Sequence, residues 1–399
     1  MSRRLPMITL DDALALIAAR FGPATASVEV DSASAPGRVL AAEVTATAPL
    51  PAADNSAVDG YALGPGDGPF RIVGRSAAGH PLAGPLGEGE AARIFTGAVV
   101  PEGTLRVAMQ ECCRLDGALV VPEPPPPPGA NIRRAGEVLK PGDVVLPAGL
   151  RIGALHLGLL ADIGCTHLAV RAPLRVALLS SGDELRPAGS PVAPHQVIDS
   201  NRPLMRGLLT RLGCDLREWP ILPDDRAAIA DALTMAAAEN DLVITTAGMS
   251  VGEEDHIPAV IRAAGTMLFH RVALKPGRPV GLGLIGGTPV LGLPGNPGAV
   301  AVTFALIGQC LVRLLAGEMP RPLPRLTLPA DFSYEKPAGD RALLPGRLGP
   351  RGIERVARNA AGNLAWTVGA DGFIEIAEAT QRIAPGDPVA FLPFSGVLP

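Results

Sequence analysis

The chain has 399 residues, enough for about two to four domains of ordinary size. Acidic residues (39) slightly outnumber basic ones (35) and aromatics make up only 3%, which argues against a nucleic-acid binder, whose surface needs a basic stripe and rings that stack on bases. Hydrophobic residues, at 47%, exclude a disordered chain.

Five cysteines, at 112, 113, 165, 214 and 310, are odd in number and contain no CxxC, so they fit no disulfide framework and point to a reducing cytoplasm. The N-terminus carries two arginines but no apolar stretch of signal-peptide length. The most apolar region, Val280 to Leu315, is interrupted by Gly, Pro, Asn296, Gln309 and Arg313, so no membrane span is expected. Only Lys140, Lys275 and Lys336 are lysines, which makes each one informative.

Residues 8–20 have the spacing of a short amphipathic helix, with Thr9 or Asp11 as its cap. Val28 to Val44 read as two short strands around the turn SAPGR. From about 54 to 136 turn residues recur every few positions (GPGDGP, AAGHPLAGPLGEGE, VVPEGT), the sign of a small β domain. Within it, PEPPPPPG (122–129) is a stiff extended connection. Residues 153–165 predict a helix stopped by Gly164.

The stretch from Arg175 to Leu315 then alternates strand and helix. Strands are expected at 175–181, 216–222 (an edge strand, because of Pro220), 241–247, 267–274 and 288–293. Helices are expected at 200–214, with Ser200 as N-cap and Gly213 as stop, and at 224–239, 257–264 and 298–315. This alternation indicates a mostly parallel sheet with helices on both faces. From about Arg321 short strands and turns return. The expected modules are 1–52 with 137–173 (a discontinuous N-terminal mixed unit), 53–136, 174–318 and 319–399.

In an open α/β sheet, ligands bind beyond the carboxyl ends of the strands. Three loops there are rich in glycine and acids. One places Ser180, Ser181, Gly182, Asp183 and Glu184 after a strand. The next holds Gly248, Ser250, Gly252 and three acids including Asp255. The third sets Gly295 and Asn296 between Pro294 and Pro297, ahead of a helix. Glycines let backbone N–H groups approach a ligand, and helix N-termini favour anions. Acids beside such loops fit a phosphorylated ligand carrying a divalent cation.

Eight segments, in order, carry a family pattern: PAADNSAVDGYAL (51–63), FTGAVVPEG (95–103), VAMQE (107–111), SSGDEL (180–185), QVIDSN (196–201), SVGEED (250–255), ALKPGRP (273–279) and GLPGNP (292–297). The chain resembles the molybdopterin molybdenumtransferases, the MoeA-type molybdenum insertases that include the E domain of gephyrin. The resemblance implies a multidomain α/β plus β protein. Its central doubly wound, mostly parallel domain would share the molybdopterin adenylyltransferase fold, between smaller β-rich domains that include a C-terminal barrel-like one. It also implies a reaction: molybdate is inserted into adenylylated molybdopterin, AMP is released, and Mg²⁺ or a similar divalent cation assists.

Further implications are a homodimer whose cleft lies between the α/β domain of one subunit and the small β domain of the other, and possible contacts with the upstream adenylyltransferase and client molybdoenzymes. Carried onto this chain, Glu184 and Asp255 become metal ligands, with Asp225, Lys275 and Asp59 as further catalytic residues. Thr96, Ser180, Gly182, Asp183, Gly248, Ser250, Gly252, Arg271, Arg278 and Pro294, Gly295, Asn296 and Pro297 become substrate-binding residues. Asp225 also reads as a partner of its helix dipole, Asp255 as an N-cap and Asp59 as a turn former before glycine.

Three departures stand out. The family's GED reads Gly136, Glu137, Val138, its GGVS reads AGMS with Ala247 first, and the C-terminal segments 342–348 and 360–373 lack the family's serine. They raise an alternative: a catalytically weakened paralogue that holds molybdopterin or finished cofactor for delivery to one client. A third reading is a scaffold that uses only the dimer.

Overall fold

The computed structural model describes residues 5–249, 256–356 and 362–398. Its centre is a six-stranded sheet built from β1 (Arg175–Ser181), β2 (Asp215–Leu222), β3 (Leu242–Thr246), β4 (Gly265–His270), β5 (Gly281–Ile285) and β6 (Thr288–Leu293). The spatial order is β2-β1-β3-β6-β5-β4. β1, β2, β3 and β6 pair in parallel, while β5 runs antiparallel to both its neighbours.

Alternation along these strands supplies two cores. Val176, Leu178, Leu242, Ile244, Leu291 and Leu293 face one side, against the helix Asn201–Arg211 and the helical segment Pro297–Leu315. Ala177, Leu179, Val243 and Val290 face the other, against the helices Arg226–Glu239 and Ile257–Ala264. The sheet is therefore doubly wound, as the alternation of strand and helix predicts.

The details refine several expectations. β2 is the edge strand, and Trp219 with Pro220 bulges opposite Leu179 alone, which accommodates the missing proline N–H. The strand expected over 267–274 ends at His270, because Arg271 takes a left-handed conformation (φ 81°) and turns the chain. Leu274–Lys275 then leaves the central sheet and pairs with Arg341–Ala342 of the C-terminal module. β5 was not anticipated: its glycines, Gly281 and Gly283, dilute the apolar signal, although the Gly286–Gly287 turn announces the hairpin.

Ser200 occupies the N-cap position of the Asn201–Arg211 helix, but its side chain makes no capping bond there; the buried Asp199 carboxylate accepts from the Arg202 N–H instead (3.1 Å). Pro297–Leu315 is long and apolar enough, at 19 residues, to cross a bilayer by composition, yet 89% of it is buried inside this molecule. It contains one π turn, Phe304–Gly308. The buried Gln309 amide follows that turn, donating to the Ala305 carbonyl and, at 2.7 Å, to the Val397 carbonyl.

Around this centre sit three further sets of strands. The N-terminal helix Leu10–Arg20 opens with a capping box between Thr9 and Asp12, and its buried Leu10, Ala13 and Ile17 join the central core. Ser27–Asp31 pairs with His167–Arg171, and Val44–Thr45 with Val144–Leu146, enclosing a small core of Leu40, Leu146, Ile152 and Leu160. Of the two strands expected between Val28 and Val44, the second is reduced to bridges at Val39 and Leu40 and the short Val44–Thr45.

Residues 55–133 carry a six-stranded sheet with an apolar cluster on each face. The C-terminal strands Leu326–Pro329, Arg341–Gly349, Gly352–Arg355, Gly372–Ile376 and Pro388–Pro393 curl towards a barrel, as Leu326–Pro329 pairs with Pro388–Pro393 and the bridge from Ala330 to Ile353 joins its end to the Arg341–Arg355 hairpin.

Candidate functional site

The parallel strands finish level with one another. Ser181 lies opposite Leu222, Ser180 opposite Thr246, and Thr246 opposite Leu293. The loops after β1, β2, β3 and β6 therefore share one sheet edge, and this brings together Ser180, Gly182, Asp183, Glu184, Asp225, Gly248 and the Pro294–Pro297 turn.

Within that edge the acids differ in what they are free to do. Asp183 and Asp224 tie the first two loops reciprocally: each carboxylate accepts the other's backbone N–H, at 3.3 and 3.2 Å. Asp225 is the N-cap of the Arg226–Glu239 helix and accepts from the Ala228 N–H at 2.8 Å. Glu184 is exposed and has no cationic partner among the described residues. No three metal-ligating side chains converge among the described residues, and Ser250, Gly252 and Asp255 lie outside them.

The loop after β3 opens with two left-handed residues, Ala247 (φ 74°) and Gly248 (φ 68°). Met249 follows and is buried, with its carbonyl 2.8 Å from His270 Nε2 at the end of β4. The third loop leaves Gly295 and Asn296 exposed, and the Asn296 side chain makes no capping bond, so the N-terminus of the Pro297–Leu315 segment is open to an anion.

A residue not singled out from sequence holds this loop: Asn201 Nδ2 donates to the Gly295 carbonyl (2.7 Å), while its buried Oδ1 has no partner. Ser181 Oγ is likewise buried and unpartnered. The QVIDSN motif was the available signal for Asn201, since its last residue opens a helix at the same sheet edge.

Arg271, Lys275 and Arg278 belong to one excursion between β4 and β5, closed by the bonds Arg271 N–H to Val280 O (2.9 Å) and Val272 N–H to Arg278 O (3.1 Å). Lys275 is exposed and has no acidic partner among the described residues, whereas Arg278 is engaged with Asp340.

Asp59 and Thr96 meet each other in the small β domain. Asp59 Oδ1 accepts from the Thr96 N–H (2.8 Å) and Oγ1–H (2.9 Å). The first of these bonds does most to hold the Asp59 carboxyl below its ordinary range. Gly60 is required beside it, because a Cβ there would stand 1.8 Å from the Ala108 carbonyl oxygen. The side-chain bonds of this pair stay within the β domain. Val138 is 63% exposed, so no packing demand accounts for a valine there.

Comparison with known proteins places these features. Residues 8–164 match the MoeA N-terminal region (domain I and II), 177–313 the probable molybdopterin binding domain, and 327–394 the MoeA C-terminal region (domain IV). The molybdopterin molybdenumtransferase of Haemophilus influenzae is 33% identical over 404 residues, covering 98% of this chain and 100% of that protein. The chain belongs to the molybdopterin molybdenumtransferase family.

The relative of that name from a Nostoc species is 35% identical over 301 residues, covering 72% of this chain and 69% of that protein. A Pyrococcus horikoshii structure described as a molybdopterin biosynthesis MoeA protein shares the fold: TM-score 0.84 at 23% identity, covering 97% of this chain and 100% of that one. The molybdopterin-binding match spans β1 to the Pro297–Leu315 segment, and so contains the whole sheet edge described above.

Proposed function

We propose that this protein inserts molybdate into adenylylated molybdopterin with release of AMP, assisted by a divalent cation, in a cleft completed by a second copy of the chain. Family membership makes it a transferase of molybdenum cofactor biosynthesis. The observation that best supports the adenylylated substrate and the cation is the level sheet edge, where glycine loops, an open helix N-terminus and uncommitted Glu184 meet.

The donors there are carboxylate oxygens, the set a hard cation such as Mg²⁺ takes. Glu184 would hold that cation together with Asp255, and its chemistry would be to neutralise charge on the phosphoanhydride. The backbone N–H groups ahead of the Pro297–Leu315 segment would bind a phosphate. Lys275 and Arg271 supply positive charge from the neighbouring excursion, Lys275 as a point charge and Arg271 as a planar fork. Asp59, kept ionised by Thr96, would enter from the partner subunit's β domain.

AMP release from adenylylated molybdopterin, Mg²⁺ and molybdate tests this reading. Glu184→Gln should slow it by about 10²–10³-fold with the fold intact, the usual cost of removing one charge stabiliser. A wild-type rate in that variant would remove Glu184 from the site. Val138, in place of the acid of the family's GED, favours a second reading, a weakened paralogue that holds pterin for delivery, and tight binding without turnover would select it.

A further inference from the structure

The β-domain sheet carries a feature that the reaction above leaves unused. Phe70–Ser76 and Glu90–Ile94 are parallel neighbours, and their register sets Arg71 opposite Glu90 but Arg75 opposite Arg93. The first pair is an ordinary cross-strand ion pair, 2.7 Å apart. The second puts like charges face to face, an arrangement that works against the sheet.

No acid is hydrogen-bonded between the two guanidiniums. Arg93 donates to neutral acceptors, the Gly60 carbonyl (2.8 Å) and Gln110 Oε1 (2.5 Å). Arg75 is exposed, and its guanidinium has no hydrogen-bond or ion-pair partner among the described residues. What holds them is the ring of Phe95, whose centroid lies 4.7 Å from the Arg75 guanidinium carbon and 4.6 Å from that of Arg93. Arg93 also lies over Tyr61, at 5.2 Å.

The array is contiguous with Asp59 and Thr96: Phe95 precedes Thr96 in the chain, and Arg93 grips the carbonyl of the residue after Asp59. Two planar cations held beside one ring and lacking a bonded carboxylate keep N–H donors free, and a tetrahedral oxyanion accepts such donors.

We propose that Arg75 and Arg93, cross-strand neighbours both held against Phe95, form an oxyanion subsite of the β domain that takes either a phosphate of the pterin substrate or molybdate. This rests on the reading that the Asp59 face meets substrate. The two oxyanions share their recognition chemistry, so separate titrations must distinguish them. Arg93 also braces Gly60 and Gln110, which makes Arg75 the informative position.

The intact protein and its Arg75→Gln variant are titrated calorimetrically with inorganic pyrophosphate and, separately, with sodium molybdate. KM and kcat are then measured for the pterin substrate and for molybdate. The expected result is a loss of affinity of about tenfold for one of the two anions, the scale of one charge-assisted hydrogen bond, with the KM of the matching substrate rising and kcat nearly unchanged. The midpoint of thermal unfolding should hold or rise, since a like-charge pair is removed. Arg75→Lys, which keeps the charge but loses the planar fork, should fall between. Unchanged affinity for both anions, or no binding of either by the wild type, overturns the subsite. If the wild type does not turn over, the proposed reaction fails and the anion titrations still decide the subsite.

Discussion

Ala247 is held at φ 74°, a conformation in which an L-residue other than glycine crowds its own carbonyl. The family's usual glycine would sit there without strain, so the alanine costs stability at the opening of the loop after β3. Ala247→Gly should raise stability by up to about 1 kcal/mol, partly offset by the freer unfolded chain, and should move the urea midpoint upward without changing the slope. A lower midpoint would mean that the methyl packs usefully in the folded protein. Val138 makes a complementary case. It is exposed, its N–H bonds the Leu50 carbonyl, and its side chain is free to change. Val138→Asp should leave unfolding unchanged and raise AMP release if the lost acid limits the reaction. A fall in rate would show that the site has been rebuilt around the valine.

At the scale of elements, one carboxylate has two readings. Asp225 caps the Arg226–Glu239 helix, and its loss should cost about 1 kcal/mol, the usual value of a side-chain cap. Asp225→Asn keeps the cap and removes the charge. Full activity in that variant, with reduced stability in Asp225→Ala, assigns the residue to the helix alone; slow AMP release at unchanged stability assigns it to the reaction. The elements themselves were legible where periodicity was strong. β1, β3, β6 and the helices around them follow from short apolar runs bounded by glycine or by acids at helix starts. β5 escaped because close packing requires glycine in it: a Cβ on Gly283 would stand 2.3 Å from Ile261 Cγ2 and 2.8 Å from the Thr266 carbonyl oxygen. The strand expected over 267–274 overruns its true end because nothing in its composition marks the left-handed turn at Arg271. Helix capping by Asp199 in place of Ser200 is likewise a choice between two competent neighbours that only the backbone geometry settles.

At the scale of the whole molecule, the central sheet edge could be read from sequence, since parallel strands must present their following loops together. The relation of that edge to Asp59 and Thr96 could not, because the motifs lie far apart in the chain and no local pattern encodes a contact between two sheets. Within one chain, the pair's own side-chain bonds join it only to the β domain. The composite cleft proposed above makes a quantitative claim about subunit mixing. An Asp59→Ala chain and a Lys275→Ala chain, each inactive alone, are mixed in equal amounts and allowed to exchange. Half of the dimers then contain one chain of each kind. In every such dimer, one cleft combines the faulty β domain with the faulty α/β domain, and the other combines the two sound ones. Activity should recover to about 25% of the wild-type level, the figure that counting gives for a two-fold dimer with random exchange and independent clefts. A mixture that stays as inactive as its parents, with exchange demonstrated by differently tagged subunits, would place Asp59 and Lys275 in a cleft within a single chain.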